Sequence, residues 1–180
     1  MRESVDYVFF EALFVRGLEV TGPLEQAMRE RGFDRRVPQA RYEAKVLEEC
    51  LELARAAHLA DLSAEDGLRE LGKRFVIGFR ETLVGTVLTA ALPLLGPRRM
   101  LEQVPKRLPR VRSDLELTLE SGSGDVRVLR AKDSRPKLGA FFAGVIQQGL
   151  EVAGARGHSV RLEPLADGYR LHVTLATAGR

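Results

Sequence analysis

Apolar positions recur along this chain with two different periods, and the change falls near the middle. From Arg41 to His58, Val46, Leu47, Cys50, Leu51 and Ala54 return every three or four residues, with Glu43, Glu48, Glu52 and Arg55 mostly on the other side. That spacing predicts an amphipathic helix. Gly22 to Gly32, with proline at the start and glycine at the end, predicts a shorter one. Ser63 stands three residues before Asp66 and predicts a capped helix start. From Leu71 to Leu95 the pattern is apolar on nearly all sides, which predicts one continuous central helix ended by Gly96-Pro97. A short broken helix is expected across Arg98 to Arg110, interrupted at Pro105 and Pro109. "VDYVFFEALF" fits either a short strand or a helix start, and both readings stay open.

Beyond residue 110 the period becomes two. "DLELTLE" alternates Leu115, Leu117 and Leu119 with Glu116, Thr118 and Glu120. "SGSG" then marks a turn into "DVRVLR", and "HSVRLEPL" and "GYRLHVTL" form a second pair across Ala166 to Gly168. Between the pairs, Leu138 to Ala153 predicts a helix. Its wide face of Leu138, Phe141, Phe142, Val145, Gly149 and Val152 is expected to lie on a sheet. Its second face, with Ala140 and Gly144, is expected to be covered by the helical half or by a second copy of the chain. The fold class is therefore α+β: an N-terminal helical part, residues 1–110, packed on a C-terminal four-stranded antiparallel sheet with one covering helix, residues 111–180. The strand-strand-helix-strand-strand order belongs to the second part, and the two together are expected to form one compact domain.

Composition changes this picture little. At 44% hydrophobic and 29% charged residues the chain is that of an ordinary globular protein. Its net charge of +3 does not by itself call for nucleic acid. The uncharged run from Thr82 to Pro97 is too short for a membrane span and holds Pro93. No signal-peptide pattern opens the sequence, and a single cysteine excludes an internal disulfide, so a cytoplasmic location is expected.

Candidate chemistry is sparse. His58, His158 and His172 lie at a helix end, in a turn and on the polar side of a strand, where surface histidine is the first reading. None stands at metal-ligand spacing with another ligand, and "SGSGD" leads into a strand rather than a phosphate-binding helix. No metal and no catalytic residue is assigned, and an enzyme is not expected. Gly78, Thr82, Gly85 and Thr89 form a small-residue stripe. With Phe75, Phe79, Phe141 and Phe142, the glycines Gly78 and Gly85 are the candidates for a ligand pocket. Core packing is the first reading of these residues and a pocket the second. Arg98, Arg99, Lys106, Arg107, Arg110 and Arg112 form a basic cluster suited to an acidic partner or phosphates. The expected sheet surface, from Glu116 and Arg127 to Arg170 and His172, lacks the stacking aromatics of an RNA-binding face, so nucleic acid is not expected.

"LRELGKRFVIGFRETLVGTVL", "LLGPRRMLEQVPKRL" and "FFAGVIQQGLEVAGARGHSVRL" together resemble a family of uncharacterised proteins of about this length, present as many paralogues in myxobacteria. The resemblance runs from about Leu13 to Thr174 and implies no activity. More loosely, the order of elements is similar to the superfamily of vinyl-reductase-type ligand-binding domains, haem nitric-oxide-binding domains and vesicle-tethering subunits. That likeness implies a fold with ligand pockets or partner surfaces. No histidine here matches an axial haem ligand and the vinyl-reductase cysteines are missing, so no cofactor is expected. The reading is a non-enzymatic regulatory or signalling module, expected as a homodimer, that binds a protein partner or a small apolar ligand. The alternatives are a homodimeric scaffold without ligand, and a nucleic-acid-associated regulator acting through residues 98–112.

Overall fold

A computed structural model describes residues 3–113, 115–122 and 124–176. Asp114, at the head of the expected "DLELTLE" strand, and Ser123, within the expected turn, lie outside the described residues.

The ambiguous N-terminal stretch is both strand and helix. Strand β1 (Ser4–Asp6) pairs antiparallel with β2 (Arg41–Glu43), and Asp6 accepts a hydrogen bond from the Val8 amide to cap α1 (Tyr7–Phe10). The chain then widens into a π-helix over Glu11–Gly17. Helices α2 (Gly22–Glu30), α3 (Ala44–His58) and α4 (Ala64–Phe79) follow, and the Ser63 hydroxyl caps α4 at the Asp66 amide, 3.1 Å away.

The continuous helix expected from Leu71 to Leu95 is instead broken after Phe79. The Thr82 hydroxyl accepts from the Gly85 amide and so starts a new helix, α5 (Leu83–Ala90). Helix α6 (Leu92–Val111) kinks at Gly96, whose φ of 75° no ordinary helical residue adopts. It then continues through Pro105 and Pro109, against expectation. Two prolines remove backbone donors, yet Met100 and Leu101 anchor the helix in the core, and tertiary packing outweighs the local cost.

Strands β3 (Leu115–Ser121), β4 (Val126–Asp133), β5 (Ser159–Leu165) and β6 (Gly168–Thr174) form an antiparallel sheet in the order β3-β4-β6-β5, and helix α7 (Gly139–Val152) joins its two hairpins. Leu119, Leu129, Leu171 and Leu162 stand opposite one another in register and form an inward row. This is the α+β architecture that the period change predicts.

Helix α7 is sandwiched, and glycine sets how tightly. A Cβ on Gly72 would lie 2.0 Å from the Phe141 carbonyl oxygen, and one on Gly144 would lie 1.9 Å from that of Arg69. The backbones of α4 and α7 therefore touch, each through the other's glycine. Gly139 and Phe142 face the sheet, where Phe142 and Tyr169 stack with ring centroids 6.4 Å apart. Phe141 does not lie on the sheet as expected: its ring meets Phe9 and Phe75 on the helical side. A wide apolar face on a helix covered from both sides serves two layers, and periodicity alone cannot divide it.

Candidate functional site

The pocket candidates come together, but as packing. Phe9 and Phe75 stack with centroids 4.3 Å apart, Phe75 stacks on Phe79 at 5.8 Å, and Phe141 meets Phe142 edge-on at 5.5 Å. With Tyr169 these rings fill the seam between α4, α7 and the sheet. Gly78 is taken up by the π-helix, since a Cβ there would lie 2.0 Å from the Ala12 carbonyl oxygen. Gly85 abuts the Phe79 carbonyl within the cap that starts α5. None of these six residues lines either of the two clefts described next.

The larger cleft, of about 690 Å³, opens where the end of α4, the length of α5, the first turn of α6 and the end of α7 converge. Ile77, Ala90, Pro93 and Val152 give it apolar walls, and Thr86, Thr89, Arg80 and Glu81 supply polar groups. Of its lining, only Thr89 stood among the singled-out small residues. The rest lies on four separate elements, which no local pattern could join. The smaller cleft, about 480 Å³, is polar and lies by Lys132, Ser134 and Asp167 at one end of the sheet.

The basic cluster loses one member. Arg112 is fully buried, not exposed as the run of basic residues implied. Its guanidinium bonds both carboxylate oxygens of Asp133, at 3.0 and 2.5 Å, and lies 5.5 Å over the Phe142 ring. Arg98 reaches Asp125 at 3.3 Å, whereas Arg99, Lys106, Arg107 and Arg110 are exposed and make no ion pair among the described residues. On the outer sheet surface, Glu163 takes hydrogen bonds from Arg170 and His172, and Lys132 pairs with Glu116. Arg127 leaves that surface: it stands opposite the buried Val173 and bonds backbone carbonyls.

Cys50 and Glu163 are two titratable groups that the fold shifts from their ordinary range. Burial pushes the Cys50 thiol up to about 12, with Glu49 adding to the rise. The hydrogen bond from His172 holds the Glu163 carboxyl below its ordinary range; partial desolvation opposes this and Arg170 reinforces it.

This architecture is that of the H-NOX domains. It is similar to the Fe(II) unliganded H-NOX protein from K. algicida, at 16% identity over 98% of each chain and a TM-score of 0.67. It is similar to the H-NOX protein from S. oneidensis in its Fe(II)NO state, at 12% identity, covering 96% of this chain and 99% of that one, with a TM-score of 0.67. An oxygen-binding H-NOX domain related to soluble guanylate cyclases, in its oxygen complex, matches at 14% identity over 94% of this chain and 92% of that one, with a TM-score of 0.61. At such identities the likeness is one of fold. In sequence, the chain belongs to the family of proteins of unknown function DUF2378, whose model matches residues 4–173. No curated protein matches it.

The fold raises haem, and the donors in this chain do not fit a histidine-bound haem. His58 is exposed at the end of α3, and His172 is held by Glu163 on the outer sheet surface. His158 has both ring nitrogens buried without a hydrogen-bond partner, but it lies beyond the far end of α7, with about 15 Å of helix between Phe142 and Val152. No group of three or more histidine, cysteine or carboxylate ligands occurs among the described residues.

Proposed function

We propose that this chain is a non-enzymatic signalling module that binds a small apolar molecule in the cleft between α4, α5, α6 and α7. The observation that carries this reading is the cleft itself. It is an open groove of about 690 Å³, a volume in the range of small-molecule sites, with the exposed Ile77, Ala90 and Pro93 along its walls and a few polar groups among them. The H-NOX fold supports it at a coarser level, since the similar domains are known in nitric-oxide and oxygen complexes.

Binding there has a route into the rest of the fold. Ile77 belongs to α4 and Val152 to α7, so a ligand touching both loads the α4–α7 contact. That contact runs backbone to backbone through Gly72 and Gly144 and has no slack to absorb a shift locally. A ligand that moves α4 therefore moves α7, and with α7 the surface of the sheet.

Titration with the uncharged dye N-phenyl-1-naphthylamine tests the reading. Saturable fluorescence enhancement is expected in the native protein. Ala90→Phe, which intrudes into the cleft, should weaken it, and Leu83→Asn, outside the cleft, should not. No enhancement, or equal enhancement in all three proteins, would sink it.

A further inference from the structure

Helix α5 is inside out. Thr82, Gly85 and Thr89 face the protein, and both threonines are more than nine-tenths buried. The Thr82 hydroxyl donates to the Phe79 carbonyl and that of Thr89 to the Gly85 carbonyl, so neither buried polar group is left unpaired. The opposite stripe is aliphatic and lies in solvent: Leu83 is 91% exposed, Val84 55% and Val87 73%, and Leu94 extends it into the first turn of α6 at 89%. A surface helix ordinarily buries this stripe and shows water the other. A contiguous row of exposed aliphatic side chains marks an interaction surface.

The charges beside it point to the occupant. No charged residue falls between Thr82 and Pro97, and Arg98 and Arg99 follow directly. The Gly96 kink joins the apolar stretch to the rest of α6. There, Arg99, Lys106 and Arg110 share one helical stripe with Arg107 alongside, all exposed and without ion pairs among the described residues. Glu81 and Glu102 are the acids that flank this stretch in sequence, and Glu151 of α7 stands next to Val152, which shares the cleft with Ala90 and Pro93; all three are exposed. The exposed apolar residues of the row are leucine and valine, and the exposed basic residues follow it in the chain. Aliphatic side chains bordered by unpaired cations match a bilayer of acyl chains beneath anionic headgroups.

We propose that this face docks on an anionic lipid surface. Leu83, Val84, Val87 and Leu94 enter the headgroup boundary, while Arg99, Lys106, Arg107 and Arg110 meet lipid phosphates. The helix lies on the membrane and does not cross it, in keeping with the absence, among the described residues, of any helix long and apolar enough to span. This site is separate from the cleft, and the cleft can fail its test while this face passes.

The full chain contains no tryptophan, so Leu83→Trp places a lone reporter in the proposed contact. With vesicles of phosphatidylcholine and phosphatidylglycerol, its emission should shift to the blue and be quenched by brominated acyl chains. With phosphatidylcholine alone it should respond far less. In sedimentation, without the tryptophan reporter, Arg99→Gln, Lys106→Gln and Arg110→Gln together should weaken vesicle binding roughly a hundredfold relative to the unmodified chain, about fivefold per charge. Leu83→Asn with Val87→Asn should weaken it about tenfold or more. These positions are exposed, and thermal melts by circular dichroism check that each variant folds. An unmodified chain that stays in the supernatant with anionic vesicles would overturn the proposal. So would a chain that leaves vesicles unbound and forms a dimer split by the asparagine substitutions, which would assign the face to a second copy.

Discussion

Arg112 and Asp133 clasp each other in the interior with both side chains fully buried, one at the end of α6 and the other at the end of β4. The Asp133 carboxylate also accepts from the Arg135 amide at 2.8 Å, and Arg112 lies against Phe142. The backbone around Arg112 bridges to Val5 of β1. One ion pair thus joins the last turn of the helical half, the first strand and the sheet.

Breaking this pair on one side leaves a buried charge without its partner. Arg112→Met is expected to cost about 3–5 kcal/mol in urea unfolding. Adding Asp133→Asn to that variant should recover part of the loss, because the stranded carboxylate is then gone. A single variant within 1 kcal/mol or so of the native protein would contradict this account.

The helix crossing is equally exact in its demands. Gly72→Ala and Gly144→Ala each place a methyl against rigid backbone and should cost about 1–3 kcal/mol or more. Gly149→Ala meets only the terminal methyl of Met100, at 2.4 Å, which can swing aside. The better helix propensity of alanine, about 1 kcal/mol, then offsets most of its cost. Equal losses at all three positions would refute the distinction.

Cys50 should be unreactive in the native state. Its thiol is held near 12, so almost no thiolate is present at mildly alkaline pH. A thiol reagent such as dithionitrobenzoate should label it only in denaturant. Labelling at the unfolded rate without denaturant would show the helix packing around Cys50 to be wrong.

Glu163 and His172 make a pH-dependent contribution of known sign. A carboxyl held low in the folded state stabilises the fold above its ordinary value of 4.5, and loses that contribution as pH falls through the depressed folded value. Carbon-detected NMR should find Glu163 titrating below that ordinary value, and His172→Ala should move it back up. No movement would remove His172 as the principal cause.

What could be read from residue order alone follows from the range of the interactions. The Ser63 cap acts over three residues, and the leucine alternation of β3 acts within one strand, so both were legible. That α7 would be covered on two sides was legible in its small second face. The partition of Phe141 and Phe142 between layers was not, because it depends on Phe9, Phe75 and Tyr169 far along the chain. Arg112 stood unmarked in a basic run, since its partner lies 21 residues away on another element. The break at Thr82 was hidden because Leu71 to Leu95 looks like buried helix, while the structure turns much of that apolar surface outward. The larger cleft was out of reach for the same reason as Arg112: its walls meet only in three dimensions.

Ser4 donates its amide to the Ser113 hydroxyl and accepts the Ser113 amide, at a sequence separation of 109. During synthesis the first strand can therefore pair with β2 early, but it leaves the ribosome long before the segment at Arg112 and Ser113 exists. At about 5–20 residues per second, that delay is roughly 5–20 s. Over that interval Val5, fully buried in the finished fold, has no bridge to Arg112 to close over it. Until residue 113 has emerged the helical half lacks the contacts that close over Val5, and chains halted before that point are expected to be cut by protease at the first strand more readily than longer ones.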